Sequence, residues 1–421
     1  MAKNIVILGA GFGGLRTARI LAKKLQGTPY KIILIDKNSY HTYTPALYEI
    51  ATAYRGGKFR STEEVKEFEA NLIDAASFPV REVIDDSCID FIQEEIIGID
   101  ASTNTLTTSS GDLIKYRYCV VALGSSGSHT DVEGAQECCG TLNNINDALE
   151  IRRAIESLIR NNFSKNKDIQ IITVGAGFTG FELTTEMAKY IRHLAKAAYD
   201  FDINKVHIKL IEAKDNILPE ASPAMRRIAI RRLKKLGIEI VTGKKIITVE
   251  PHQITLEGGE KILSDFVLWG GGVKGNNLLG KIKGAHLHRS GRLETDTHLR
   301  AKGVNNIFVV GDSSYFYDEK RSAALPATAW AAEHQAETAA ENVYRALQER
   351  PLLHLTPKYP GFVVAAGGKY AIAKVYGFVV AGFLAWILKR AIDLKYILSL
   401  YSFRKALRIW IKGVRLFSKN D

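Results

Sequence analysis

Two windows of the chain place apolar and polar residues in the same order. In NIVILGAGFGGLRTARILAK (residues 4–23) and QIITVGAGFTGFELTTEMAK (170–189), a β-branched apolar run reads as a buried strand. A glycine-rich turn follows, and helix-forming residues come next. Each window leads to a second apolar run that closes on an acid: KIILID ends at Asp36 and HIKLIE at Glu212. YCVVALGSSGS (118–128) and VNNIFVVGDSS (304–314) are two more strand-like runs that end in small residues. The alternation of strand and helix predicts an α/β fold.

The turns carry chemistry. Gly9, Gly11 and Gly14 in the first and Gly175, Gly177 and Gly180 in the second are spaced GxGxxG. The first glycine permits a tight turn, and the second lets the backbone approach a pyrophosphate. The third lets the helix lie close to the strand, with the phosphates at the helix N-terminus. Asp36 and Glu212 stand where a carboxylate accepts ribose hydroxyls and repels a 2′-phosphate, which favours NAD(H) at the second turn. Two Rossmann-like dinucleotide-binding domains in one chain imply a flavin with a nicotinamide partner. Gly124 ends one small-residue strand, where the chain passes close to a cofactor. Asp312 follows Gly311 at the end of the other and is placed to bond a ribityl or ribose hydroxyl.

Composition adds little until the charge is located. The 421 residues are 46% hydrophobic and 24% charged, which suits two or three globular domains. The net charge is +12, and residues 361–421 hold 11 Lys and Arg against 2 Asp and Glu, so +9 of it lies there. The four cysteines follow no metal-ligand spacing, and no metal is expected. MAKNIVIL contains no secretory signal pattern, and a cytoplasmic N-terminus is expected. Within the basic tail, KVYGFVVAGFLAWILKR (374–390) holds fourteen uncharged residues between Lys374 and Lys389. That is too few to span a bilayer. The stretch reads as a segment dipping into one leaflet, with Lys389 and Arg390 at anionic headgroups. Beyond it, Phe403, Leu407, Trp410, Ile411, Val414 and Phe417 fall on one helical face, and Arg404, Lys405, Arg408, Lys412, Arg415 and Lys419 on the other. Such a helix lies in a membrane interface. Nucleic acid would leave its apolar stripe unexplained.

The set resembles the flavoproteins in which an NAD domain is inserted in an FAD domain. The resemblance implies FAD at Gly9, Gly11, Gly14, Asp36, Gly124 and Asp312, and NADH at Gly175, Gly177, Gly180, Glu212 and Gly271. The expected boundaries are 1–140 and 277–350 for FAD, 141–276 for NADH and 351–421 for a C-terminal membrane-association region. After the first acid, DKNSYHTYTPALYEIATA (36–53) has no cysteine, which removes thiol–disulfide chemistry; no cysteine follows Cys139, which argues against sulfide:quinone oxidoreductases. The stretch is instead similar to the type II NADH dehydrogenases, the single-subunit NADH:quinone oxidoreductases. It shares their YH…TP…YE pattern at Tyr40, His41, Thr44, Pro45, Tyr48 and Glu49. VLWGGGVKGN (267–276) and PATAWAAEHQAETAAENV (326–343) extend the likeness.

By this resemblance Glu182 lies beside the flavin and nicotinamide and handles a proton, unless it is a first-turn acid serving the helix dipole. Thr44 and Pro45 line the flavin. Pro326 looks like the start of a helix aimed at the flavin. The family's AQxAxQ quinone signature falls on Ala329, Trp330, Ala331, Ala332, Glu333 and His334, so both glutamines are replaced, and Gln335 follows. Ala329, Trp330, Glu333 and His334 are the quinone-site candidates, with His334 and Gln335 as candidate hydrogen-bonding or proton-supplying groups. The expected protein is a homodimeric, non-proton-pumping flavoenzyme on the cytoplasmic face of the cell membrane. Two alternatives stand beside it, a soluble NADH-dependent ferredoxin or rubredoxin reductase and a non-enzymatic NADH-sensing module.

Overall fold

A computed structural model describes residues 3–57, 61–84, 88–127, 132–163, 167–199 and 202–420. The chain forms two compact units, one of Met1–Thr42, Ser77–Ser126 and Val273–Tyr359, the other of Tyr43–Ala76, Gly127–Gly272 and Pro360–Asp421.

The first unit is built on a five-stranded parallel sheet in the order Ile307–Val309, Tyr118–Val121, Asn4–Leu8, Lys31–Asp36, Ile89–Gln93. Ile5 pairs with Ile32 on one side and with Tyr118 on the other. The near-continuous apolar runs are what a sheet covered on both faces requires. The helix Phe12–Leu25 leaves the central strand and packs along the helix Ala329–Leu347. Arg16 to Glu337 and Lys24 to Glu341, both at 2.7 Å, tie their outer faces. Leu278, Leu279 and Ile282 close the core below the sheet.

The second unit repeats the plan. Its parallel sheet runs Cys139–Thr141, Phe266–Trp269, Ile169–Val174, Val206–Glu212, Ile238–Thr242. The helix Phe178–His193 leaves the central strand. Each unit adds a three-stranded antiparallel sheet, Ile96–Lys115 in the first and Ile246–Leu263 in the second.

The units divide the chain differently from the expected boundaries. Residues 43–76 belong with the second turn, because the short helix Leu47–Ala51 packs on the helices Ile145–Phe163 and Phe178–His193. The tail from Pro360 joins the same unit. It begins as an antiparallel sheet of Gly361–Ala365, Ala371–Val375 and Phe378–Gly382, followed by the helices Phe383–Leu400 and Phe403–Phe417. The last helix packs on the helix Thr62–Ala76, and Lys412 reaches Asp74 at 3.1 Å.

The stretch 374–390 is therefore not one dipping segment. It is the end of one strand, a turn at Tyr376 and Gly377, a second strand and the start of a helix. Glycine permits both reversals: Gly377 has φ +93° and Gly382 φ +98°. Lys389 and Arg390 do not reach headgroups either; both are buried. Among the described residues no helix is long and apolar enough to cross a membrane.

Candidate functional site

Both GxGxxG turns have the geometry an anion needs. Gly9 (φ +98°) and Gly175 (φ +87°) adopt left-handed backbone, and a Cβ at either would run into a neighbouring carbonyl. Gly14 and Gly180 face the carbonyls of Gly9 and Gly175 so closely that no side chain fits. Gly11 and Gly177 are the N-caps of their helices. Neither helix has a side-chain cap or an acid in its first turn, and a Cβ on either glycine would meet nothing within 4 Å. Open space over uncapped N–H groups at a helix N-terminus fits a pyrophosphate.

The strand-end acids do more than was expected of them. Asp36 Oδ2 accepts from the Ala10 N–H at 2.7 Å and Oδ1 from the Asn38 N–H at 2.8 Å. Glu212 Oε2 accepts from the Ala176 N–H at 2.7 Å and Oε1 from the Lys214 N–H at 3.0 Å. Each acid thus fixes the residue after the first glycine of its turn. Each oxygen keeps a second acceptor position for a ribose hydroxyl.

His41 completes the hold on the first turn, a role the sequence did not disclose. It is buried, its Nδ1 lies 3.0 Å from the Ala10 carbonyl, and the Phe12 ring meets it edge-on. Burial lowers its pKa to about 4, against which the Ala10 bond works. The imidazole is neutral, and its Nδ1–H donates to that carbonyl.

In the same unit, the turn Gly311–Ser313 is held from three directions. Gln335 Oε1 accepts from the Gly311 N–H at 2.7 Å, Ser125 Oγ donates to Asp312 at 2.9 Å, and Ser313 Oγ donates to the Gly124 carbonyl at 3.2 Å. Gly124 (φ +70°) has open space where a Cβ would stand. Gln335 is thus a buried support for the Asp312 turn. The helix that carries it begins at Ala329, with Thr328 as N-cap accepting from the Ala331 N–H, and not at Pro326. Trp330, 37% exposed, stacks on His334 at 5.2 Å between ring centres. The other face of this arrangement anchors a loop, since His334 Nε2 lies 2.9 Å from the Thr356 carbonyl and Nδ1 3.8 Å from Glu337. Ala329 and Glu333 are half-buried on the same helix.

In the second unit, Gly271 follows the strand Phe266–Trp269 under the Trp269 indole, which a Cβ would strike at 2.8 Å. Thr44 and Pro45 form a short 3-10 turn, Thr44 exposed and Pro45 half-buried. Glu182 is not a first-turn acid. It sits in the second turn of its helix, half-buried, and accepts from the Ala365 N–H at 2.9 Å. Burial raises its pKa to about 8, opposed by Lys389 and by the Ala365 bond.

Around it lies an ionic cluster that the sequence reading missed. Arg390 forms a two-pronged pair with Glu49 and also bonds Asp393 at 3.2 Å. Lys389 stands 3.7 Å from Glu49 and 3.5 Å from Asp393, with its ammonium over the Tyr48 ring. Tyr43 donates to Asp393 at 2.7 Å and stacks on Tyr396. The only signal in the chain was the pair Tyr48–Glu49, whose partners are 341 residues away.

Two dinucleotide turns, each with its own acid, define an FAD- and NAD-binding oxidoreductase. Residues 3–340 match the family model of the pyridine nucleotide-disulphide oxidoreductases. The chain is 30% identical over 406 residues to the type II NADH:quinone oxidoreductase of Staphylococcus aureus, covering 94% of this chain and 96% of that one. Its likeness to the Staphylococcus saprophyticus enzyme of the same name is 28%, over the same shares. In fold it is similar to NDH2 from Plasmodium falciparum in complex with NADH, at a TM-score of 0.82 and 18% identity over 99% and 98% of the two chains. It is also similar to the sulfide:quinone oxidoreductase of Aquifex aeolicus, at 0.74 and 21% over 98% and 96%. The chain belongs to the type II NADH:quinone oxidoreductases.

Proposed function

We infer that this protein is an FAD-dependent NADH:quinone oxidoreductase, as its family membership states. When bound, FAD takes a hydride from NADH and passes two electrons to a quinone. The observation that carries the reading is the duplicated turn: two uncapped helix N-termini, each beside an acid that fixes the backbone.

The residue roles follow from chemistry on the page. The N–H groups over Gly11 hold the FAD pyrophosphate, and those over Gly177 hold that of NADH. Asp36 and Asp312 take FAD hydroxyls; Glu212 takes the NADH ribose and repels a 2′-phosphate. Gln335 positions Asp312. Glu182, half-buried and bonded to the Ala365 N–H, takes the proton donor's role that the family resemblance gives it, and its pKa, raised to about 8, suits that role. Gly271 admits the nicotinamide end, and Thr44 and Pro45 contact the flavin. Trp330 offers an exposed ring face to a quinone, with Ala329 and Glu333 beside it. The His334 ring, held by Thr356 and Trp330, orients that face.

The quinone is reached from a membrane surface. Phe383, Leu384 and Ile387, with Leu398 further on, leave an exposed apolar stripe along one helix, and Tyr376, Phe378 and Phe403 are exposed beside its two ends in sequence. Aromatic and aliphatic groups in such a patch, next to a basic helix, suit an anionic bilayer interface. The enzyme works as a homodimer on the cytoplasmic face. A soluble ferredoxin-type reductase and a pure sensor are set aside by the family.

Steady-state NADH oxidation with several quinones, in detergent and on liposomes, tests this directly. Quinone-dependent turnover that rises on liposomes supports it; NADH-driven bleaching of the flavin with no turnover on any quinone refutes the acceptor. Comparing Trp330→Gln with the intact chain tests the ring face: an unchanged KM for quinone removes Trp330 from the site.

A further inference from the structure

Glu182 has a neighbour that the assigned chemistry does not use. Glu186 lies one turn further along the same helix, so both carboxyls emerge on one face. It is buried, and like Glu182 it accepts from a backbone N–H, that of Gly368 at 3.1 Å. The N–H groups that serve the two acids bracket one turn, residues 365–368, between two strands of the tail sheet. Arg232 clamps that turn by its carbonyls, with Nε donating to Ala366 at 2.7 Å and a terminal nitrogen to Gly367 at 2.6 Å. The turn therefore stays in place whichever carboxyl is charged.

The charges around the pair do not balance without protons. The helix Leu47–Ala51 contributes Glu49 and the Tyr48 hydroxyl; the helix Phe383–Leu400 contributes Lys389, Arg390 and Asp393; the helix Phe178–His193 contributes Glu182 and Glu186. Four carboxyls thus face two cations. Arg390 pairs with Glu49 and Asp393, and Lys389 lies closest to the same two. Glu182, half-buried, and Glu186, buried, are left with backbone donors, and desolvation makes a lone carboxylate costly there. The cluster reaches neutrality when both are protonated. Burial pushes Glu186 up to about 7, as it pushes Glu182 to about 8, and two groups so close titrate as a pair.

We propose that Glu182 and Glu186 form a two-proton store, in which Glu186 returns to Glu182 the proton that quinone reduction draws from it. The proposal rests on Glu182 as the donor. The overall balance is NADH, one proton and quinone giving NAD⁺ and quinol: the hydride brings two electrons and one proton, and the second proton comes from solvent. That proton leaves Glu182, the Glu186 proton moves across to it, and Glu186 takes a replacement from water. Glu186 touches neither substrate nor cofactor in this scheme and acts as a positioning residue for the proton.

Infrared titration of the FAD-loaded protein from about pH 6 to about pH 9 reads the store without turnover, spanning the values of about 7 and about 8. Two carboxylic-acid signals are expected to titrate in the intact chain, and one in Glu186→Gln or Glu182→Gln. A single signal in the intact chain overturns the store. Gln at 186 still accepts the Gly368 N–H and carries no exchangeable acid proton. Its quinone turnover is expected to fall roughly tenfold above neutral pH, with the pH profile moved to the acid side, and Glu186→Asp should restore much of it. A wild-type profile in Glu186→Gln overturns the relay. Unaltered turnover in Glu182→Gln, with both infrared signals present in the intact chain, instead refutes the donor role of Glu182.

Discussion

Ala10 shows how much a single residue can be asked to hold. Its N–H is bonded by Asp36 and its carbonyl by His41, so the first phosphate turn is fixed on both sides before any nucleotide arrives. Protonating His41 at its other nitrogen would leave the Nδ1–H bond to Ala10 in place but would charge a buried ring. Its folded pKa, about 4, lies below the ordinary 6.5, so the unfolded chain takes up the proton first. Stability contributed by the neutral ring is therefore complete above about pH 6.5 and lost as pH falls towards 4. Thermal melts in this window should decline less steeply for His41→Asn than for the intact chain; parallel curves would show that His41 does not govern the acid limb. Glu212 makes a matching case in the other unit. Glu212→Gln keeps an oxygen for the Ala176 N–H and removes the charge, so the NADPH-to-NADH ratio of kcat/KM should rise roughly tenfold, about 1.4 kcal/mol. An unchanged ratio would remove Glu212 from the ribose site. The fingerprint residues were legible because a glycine pattern records a local backbone demand. The role of His41 was not, since it depends on a carbonyl 31 residues away.

At the scale of elements, the helix Phe383–Leu400 separates two tasks by face. Its buried side carries Lys389, Arg390 and Asp393, and its exposed side carries Phe383, Leu384 and Ile387. Periodicity could not assign those faces, because the helix is apolar almost all round and three of its four charges, all but Lys395, lie inward. The sequence reading put Lys389 and Arg390 at headgroups, since a charge beside an apolar run is ordinarily solvated; Glu49 and Asp393 reversed that. The two faces should respond differently to substitution. Leu384→Glu with Ile387→Glu should weaken binding to anionic vesicles by roughly tenfold or more while leaving the melting temperature nearly unchanged, since each exposed aliphatic group contributes about 1.5 kcal/mol or more when buried. Co-sedimentation at wild-type levels would mean that another surface meets the bilayer. Arg390→Met should leave Glu49 and Asp393 with Lys389 alone and cost about 3 kcal/mol of stability, read by denaturant unfolding. A loss below about 1 kcal/mol would show that the cluster is not held by its charges.

For the whole molecule, the chain order and the packing order differ. The tail is last in sequence, yet its first strand and turn are bonded to Glu182 and Glu186 on the second fingerprint helix. A deletion after Ser402 removes the basic amphipathic helix alone, and should yield a protein that retains FAD and NADH and binds vesicles more weakly. A deletion after Tyr359 also removes the N–H groups that donate to Glu182 and Glu186, and the cationic partners of Glu49. It should lose cooperative unfolding of the second unit, measured by calorimetry. Two intact transitions in that shorter chain would show the tail to be an independent module. The twofold α/β plan was open to reading because each unit announces its central strand and turn. The assignment of residues 43–76 and of the tail to the second unit was closed, since it depends on pairings between residues from 84 to 350 positions apart.

The clamp of Arg232 on Ala366 and Gly367 carries a practical consequence. Loosening the proposed membrane contact is not to be sought by cutting the chain ahead of this turn, because the cut would remove part of the second unit itself. It is to be sought by recolouring the outside: polar residues at Tyr376, Phe378, Leu384 and Ile387, with 389, 390 and 393 left as they are.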